Sequence, residues 1–194
     1  MKRTIFNTPV LTPLLRLMAL IGLKLSGWKV KFTITEGQPA SFVLIGAPHT
    51  SNWDFILMLC TILSLRLTVR WMGKHSLFKP PFKHFMLWMG GIPVNRSASQ
   101  NLVSGVVEEF NNNPKLIVLI PPEGTRSQVN EWKSGFYHIA RMANVPILMA
   151  AIDGKEKELR LLGQFDAYQD QEEKISQDIA SIKEHYQGLE GVKP

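Results

Sequence analysis

The sequence predicts a single α/β domain: a mixed, largely parallel central sheet flanked by helices, with an amphipathic helix ahead of it. Three observations predict this. Continuous apolar runs of strand length recur as SFVLIGA (41–47), KLIVLIP (115–121) and VPILMAAI (145–152), and such runs belong to strands covered on both faces. Segments of helical periodicity separate them, which is the alternation of a parallel-sheet fold. No linker, internal repeat or low-complexity tract divides the 194 residues, a length that suits one domain.

The elements follow in order. Lys2 and Arg3 precede an apolar stretch in which Arg16 and Lys24 spoil both a membrane span and a signal-peptide core. Leu14, Leu17, Met18, Ile21 and Leu25 recur every three to four residues. Residues 1–27 therefore read as an amphipathic helix for a membrane interface, with a helix packed on the domain and a targeting segment as the alternatives. Residues 28–194 form the domain proper. WKVKFTI (28–34) alternates as a half-buried strand does, and 41–47 is a buried strand. A helix over 53–65, a strand at 67–73, a short helix within 80–89 after Pro80 and Pro81, and an extended GIPVNR (91–96) come next. A helix over 98–112 ends in Asn111–Pro114 before the strand 115–121. A helix over 134–143, strands at 145–152 and 158–165, and a polar helix over 169–187 complete the chain.

The formal charge is +6, and a basic surface draws anions, whether nucleic acid, lipid headgroups or phosphorylated substrates. The cations are scattered, with no arginine run and no RNA-binding aromatic signature, which argues against nucleic acid. Residues 71–91 mix Trp71, Phe78, Phe82, Phe85 and Trp88 with lysines. That composition suits a membrane interface or a core with solvated lysines. Cys60, the single cysteine, sits in an apolar run and reads as a buried, inert thiol in a reducing cytoplasmic setting.

Four segments carry candidate chemistry. His49-Thr50-Ser51-Asn52-Trp53-Asp54 follows a buried strand and opens a helix that Ser51 or Asn52 can cap. Asp54 in the first turn would be favoured by the helix dipole, and it can hold one imidazole nitrogen of His49 while the other serves as a base. Pro122-Glu123-Gly124-Thr125-Arg126-Ser127 follows the strongest strand, at the end of a sheet where ligands gather. Gly124 permits a tight turn, Arg126 offers a planar fork for phosphate, and Thr125 and Ser127 add hydroxyls. Arg96 closes GIPVNR, a segment that is nonspecific by itself; two arginines at the ends of two strands, Arg96 and Arg126, could converge on one phosphate. Lys133 adds a cation beside the second segment. No convincing metal-ligand cluster and no G-x-S-x-G elbow occur in the sequence.

Together these blocks resemble the glycerolipid acyltransferases typified by 1-acyl-sn-glycerol-3-phosphate acyltransferase. His49 and Asp54 match the family's H-x4-D block. Gly90 or Gly91 through Arg96 matches its glycine-led segment ending in arginine. Pro122 through Arg126 matches its P-E-G-T-R core, and Val145-Pro146-Ile147 its apolar segment with a central proline. The resemblance spans about residues 40–152. Pro121 and Pro93 stand where the family usually has aromatics, and Asn95 where it often has an acid; all three sit near the implied acceptor pocket.

The resemblance implies that His49 is the general base, held by Asp54, for moving an acyl chain from acyl-CoA or acyl carrier protein to a hydroxyl of a lysophosphatidate-type lipid. It implies no metal and no cofactor beyond the donor. Arg96 and Arg126 would hold the acceptor phosphate, and Glu123 would contact glycerol hydroxyls or orient an arginine. The expected partners are the lipid acceptor, the thioester donor and an anionic membrane surface, with acyl carrier protein as the alternative to CoA. Nucleic acid is not expected, and the expected location is peripheral or monotopic on the cytoplasmic face of the membrane. A lyso-aminolipid or glycerol 3-phosphate as acceptor, or a lipid-binding module without turnover, are the alternatives.

Overall fold

Proline, glycine and apolar alternation set the boundaries of the elements. The computed structural model describes residues 3–32, 39–94, 99–127, 129–167 and 172–192. Helix α1 (Leu11–Leu25) leads into β1 (Lys29–Lys31) and β2 (Phe42–Ala47). Then come α2 (Asn52–Ser64), β3 (Val69–Lys74), α3 (Lys83–Trp88), β4 (Gly91–Val94), α4 (Ser99–Asn112) and β5 (Ile117–Ile120). The chain continues through α5 (Gly135–Ala143), β6 (Ile147–Asp153), β7 (Glu158–Phe165) and α6 (Ile175–Glu184).

The strands form one sheet in the order β1-β7-β6-β2-β5-β3-β4. Every neighbouring pair is parallel except β6 and β7, which run antiparallel through the turn at residues 154–157. This is the mixed, largely parallel sheet the sequence predicts. The pleat divides the core in two. Val43, Ile45, Ala47, Val118, Ile120, Ile147 and Met149 pack with α4, α5 and α6 on one face. Phe42, Leu44, Ile117, Leu119 and Leu148 pack with α1, α2 and the residues around α3 on the other.

Several boundaries differ from the sequence expectation. The short helix expected after Pro80 and Pro81 is confined to Lys83–Trp88 and follows a 3-10 turn at His75–Phe78, with Lys79 extended as a residue before proline prefers. Only Lys29–Lys31 of the expected 28–34 strand pairs, and residues 33 and 34 lie outside the described residues. The helix expected over 169–187 is a 3-10 turn at Glu172–Lys174 followed by α6; residues 168–171 are again outside. The aromatic region 71–91 splits: Trp71 and Phe78 are core, while Phe82 and Phe85 are exposed.

Helix α1 is apolar on both sides. Ala19 and Leu23 are buried, and the Arg16 guanidinium donates to the Ser64 carbonyl at 3.2 and 3.3 Å, satisfying an end of α2. Leu14, Leu17, Met18, Ile21 and Leu25, the stripe visible in the sequence, all face out, with exposures of 49–83%. Ahead of α1, the Ile5 amide donates to the Trp88 carbonyl and the Trp88 indole to Thr8 Oγ1, pinning residues 4–10 to α3. Among the described residues no helix is long and apolar enough to cross a membrane.

Gly91 makes the junction of α3 and β4 possible. A Cβ there would stand 2.7 Å from the Phe78 ring and 2.8 Å from the Met86 carbonyl oxygen. The Gly91→Ala variant should therefore lose about 1–3 kcal/mol of stability, read as a lower urea midpoint at unchanged m-value; an unchanged midpoint would contradict this packing.

Candidate active site

Strands β2 and β5 are parallel neighbours in register, from Phe42 opposite Ile117 to Ile45 opposite Ile120. The chain leaves β2 for α2 on one face of the sheet and leaves β5 for α5 on the other. Connections that diverge from adjacent strands open a crevice at their carboxyl ends. The register places His49, four residues past Ile45, next to Glu123, three past Ile120. The His49 amide accordingly donates to Glu123 Oε2 at 2.7 Å.

Ser51 caps α2: its hydroxyl accepts from the Trp53 amide at 3.1 Å. Asp54, at the third helical position, bends back to complete a capping box. Its Oδ2 accepts from the Thr50 amide at 2.6 Å, the Ser51 amide at 2.8 Å and lies 3.2 Å from His49 Nδ1. Burial pushes the Asp54 carboxyl up, but the bonds from His49, Ser51 and Thr50 outweigh it, so its pKa is lowered. An ionised carboxylate only accepts, so the proton of the pair belongs on Nδ1 and the lone pair of His49 on Nε2.

The second loop supplies the rest. Gly124 turns with φ +65°, and the Lys133 amide donates to the Pro122 carbonyl at 2.8 Å, closing the loop over Gly124. Thr125 Oγ1 accepts from the Ser127 amide at 3.3 Å. Thr125, Arg126, Ser127 and Lys133 are exposed. Arg126 donates to the side-chain carbonyl of Asn52, tying the second loop to the first turn of α2. Burial holds the Glu123 carboxyl above the usual range, and the His49 amide offsets this only in part.

Sequence reasoning located His49, Asp54, Glu123 and Arg126, and the structure brings them together. It did not assign Glu123 to the His49 backbone, nor Asn52 to Arg126. Asn52 competed with Ser51 as cap, and once Ser51 takes that role the amide is available to the guanidinium. Arg96 lies outside the described residues, and β4, which leads to it, is separated from β5 by β3. Cys60 is half-buried, and burial pushes its thiol pKa up, as an inert thiol requires.

The Asp54 bonds make a prediction for acid stability. A folded-state pKa below the unfolded value of about 3.9 contributes stability that is present above that value and lost as pH falls through the folded one. The urea midpoint of the wild type should fall below about pH 4 more steeply than that of Asp54→Asn, with parallel curves above about pH 5. Equal acid slopes would contradict the assignment.

Comparison with known proteins agrees with the geometry. A family model described as Acyltransferase matches residues 29–153. A search of curated protein sequences finds no match. Among solved structures, the 1-acyl-sn-glycerophosphate (LPA) acyltransferase PlsC from Thermotoga maritima is similar with a TM-score of 0.59 at 16% identity. The similarity covers 93% of this chain and 82% of that one. With most of its length matched by the family model, and a fold shared with that enzyme, the chain belongs to the acyltransferase family.

Proposed function

We propose that the protein is an O-acyltransferase that moves a fatty acyl chain from a thioester, acyl-CoA or acyl carrier protein, to a hydroxyl of a lysophosphatidate-type lipid. The observation that carries this is the His49–Asp54 pair, with a multiply bonded carboxylate behind the imidazole and the Arg126 loop beside it. His49 Nε2 takes the proton of the acceptor hydroxyl. The oxygen attacks the thioester carbonyl, the tetrahedral intermediate expels the thiolate, and the imidazolium returns its proton to sulfur. Asp54 stabilises the imidazolium. This route forms no acyl-enzyme and asks for no metal or organic cofactor. Arg126 and Lys133, with Arg96, supply the cations for the acceptor phosphate. Gly124, Thr125 and Ser127 shape the loop that presents Arg126. Glu123 fixes the His49 backbone by accepting its amide and faces the site where the glycerol hydroxyls of the acceptor would lie.

The outward stripe of α1 supports a membrane surface as the place of reaction. Arg16 of α1 meets Ser64 at the end of α2, and Leu23 packs in one cluster with Leu57 midway along it, so the two helices run antiparallel. Ile21 and Leu25 in the second half of α1, and Trp53 and Ile56 in the first half of α2, are all exposed. Ahead of α1, Ile5 and Thr8 are bonded to Trp88 of α3, the helix that carries exposed Phe85 and Lys83, with exposed Lys79 and Phe82 just before it. Exposed apolar side chains with cations beside them suit an anionic bilayer, and the thioester donors suit its cytoplasmic face.

Replacing His49 by Ala should lower kcat by about 10²–10⁴-fold with the fold intact by circular dichroism; activity within about tenfold of wild type would remove His49 as the base. The double variant Leu17→Ser, Ile21→Ser should sediment less with vesicles containing anionic lipid. Unchanged sedimentation would contradict docking by this face.

A further inference from the structure

The carboxyl edge of the sheet is crossed by residues 186–192. Tyr186 is buried, with its ring edge-on to Trp132 at 5.1 Å, and Leu189 lies against the same core on the α4–α6 face. Val192 packs instead with Leu23, Leu57, Ile152 and Leu159 on the α1–α2 face. The chain between them passes from one face to the other beside the His49 loop.

Two glycines make this crossing possible. A Cβ on Gly191 would stand 2.2 Å from Thr50 Oγ1 and 2.4 Å from its Cγ2. A Cβ on Gly154, in the β6–β7 turn, would stand 2.5 Å from the Gly191 carbonyl oxygen and 3.2 Å from that of Glu190. The segment is thus held between the turn and Thr50. The Gly154 amide donates to the Glu190 carbonyl at 2.7 Å, and the Thr50 hydroxyl donates to the Val192 carbonyl at 3.3 Å. Thr50 is the residue whose amide reaches Asp54 at 2.6 Å.

We propose that residues 186–192 form a strap that positions the catalytic loop, clamping the Thr50 side chain from outside so that the Thr50 and Ser51 amides stay on Asp54 and His49 stays on its carboxylate. The inner side of the loop is held by Glu123 and Asp54, and the strap supplies the outer side. Gly154 and Gly191 are positioning residues, and neither belongs to the acyltransferase motifs. The catalytic part of this inference rests on the reading of His49 as base.

Gly191→Ala and Gly154→Ala displace the strap from opposite sides, so either variant carries the test if the other fails to fold. Each should lower kcat at least about tenfold with KM for donor and acceptor within about threefold, as small misplacements of a reacting group do. Hydrogen exchange at residues 49–52 should rise by about tenfold or more while residues 117–120 in β5 keep their wild-type protection. A kcat within about twofold of wild type, or a loss of kcat with unchanged exchange at 49–52, would overturn the strap. If the wild type itself transfers no acyl group, the proposed function fails, and the exchange measurement alone decides the strap.

Discussion

Four residue pairs of in-register parallel pairing between β2 and β5 govern where everything else can be. They bring two loops to the same height at the sheet's carboxyl edge, and the departure of α2 and α5 to opposite faces keeps the space between them open. A shift of one residue in that register would send the inward side chains of β2 to the wrong core and carry His49 away from Glu123. The fully buried Val43, Ile45 and Val118 oppose such a shift, so apolar packing fixes the geometry on which the polar site depends.

At that edge one carboxylate serves two purposes. Asp54 satisfies amides at the start of α2 and also faces the imidazole of His49. The helix and the site therefore stabilise each other: losing the capping bonds would free the carboxylate, and losing the carboxylate would leave two amides and the imidazole without their acceptor. The positive end of the helix lies where the charge of Asp54 is held, which reinforces the ionised form.

The sequence made the central parts of this arrangement legible because each rests on a local pattern. Continuous apolar runs marked β2, β5 and β6, and the cap-forming pair Ser51 and Asn52 with Asp54 behind it marked the start of α2. The stripe of Leu14, Leu17, Met18, Ile21 and Leu25 was visible by period, but its direction was not. Period alone does not say which apolar face points inward, and Ala19 and Leu23 took the inner face. Contacts between distant segments were also illegible. Nothing local joins Asn52 to Arg126, the His49 amide to Glu123, or Gly154 and Gly191 to Thr50. The antiparallel turn of β7 beside β6 was hidden as well, since a short strand reads the same in either direction.

The account depends on direct transfer by a base, with no acyl group resting on the protein. It is tested most directly by incubating the purified protein with an acyl thioester and lysophosphatidate, then weighing both lipid and intact protein by mass spectrometry. The account predicts a diacyl lipid, one thiol released for each product formed, and a protein of unchanged mass. A persistent acyl adduct on the protein, or no diacyl product, would contradict it.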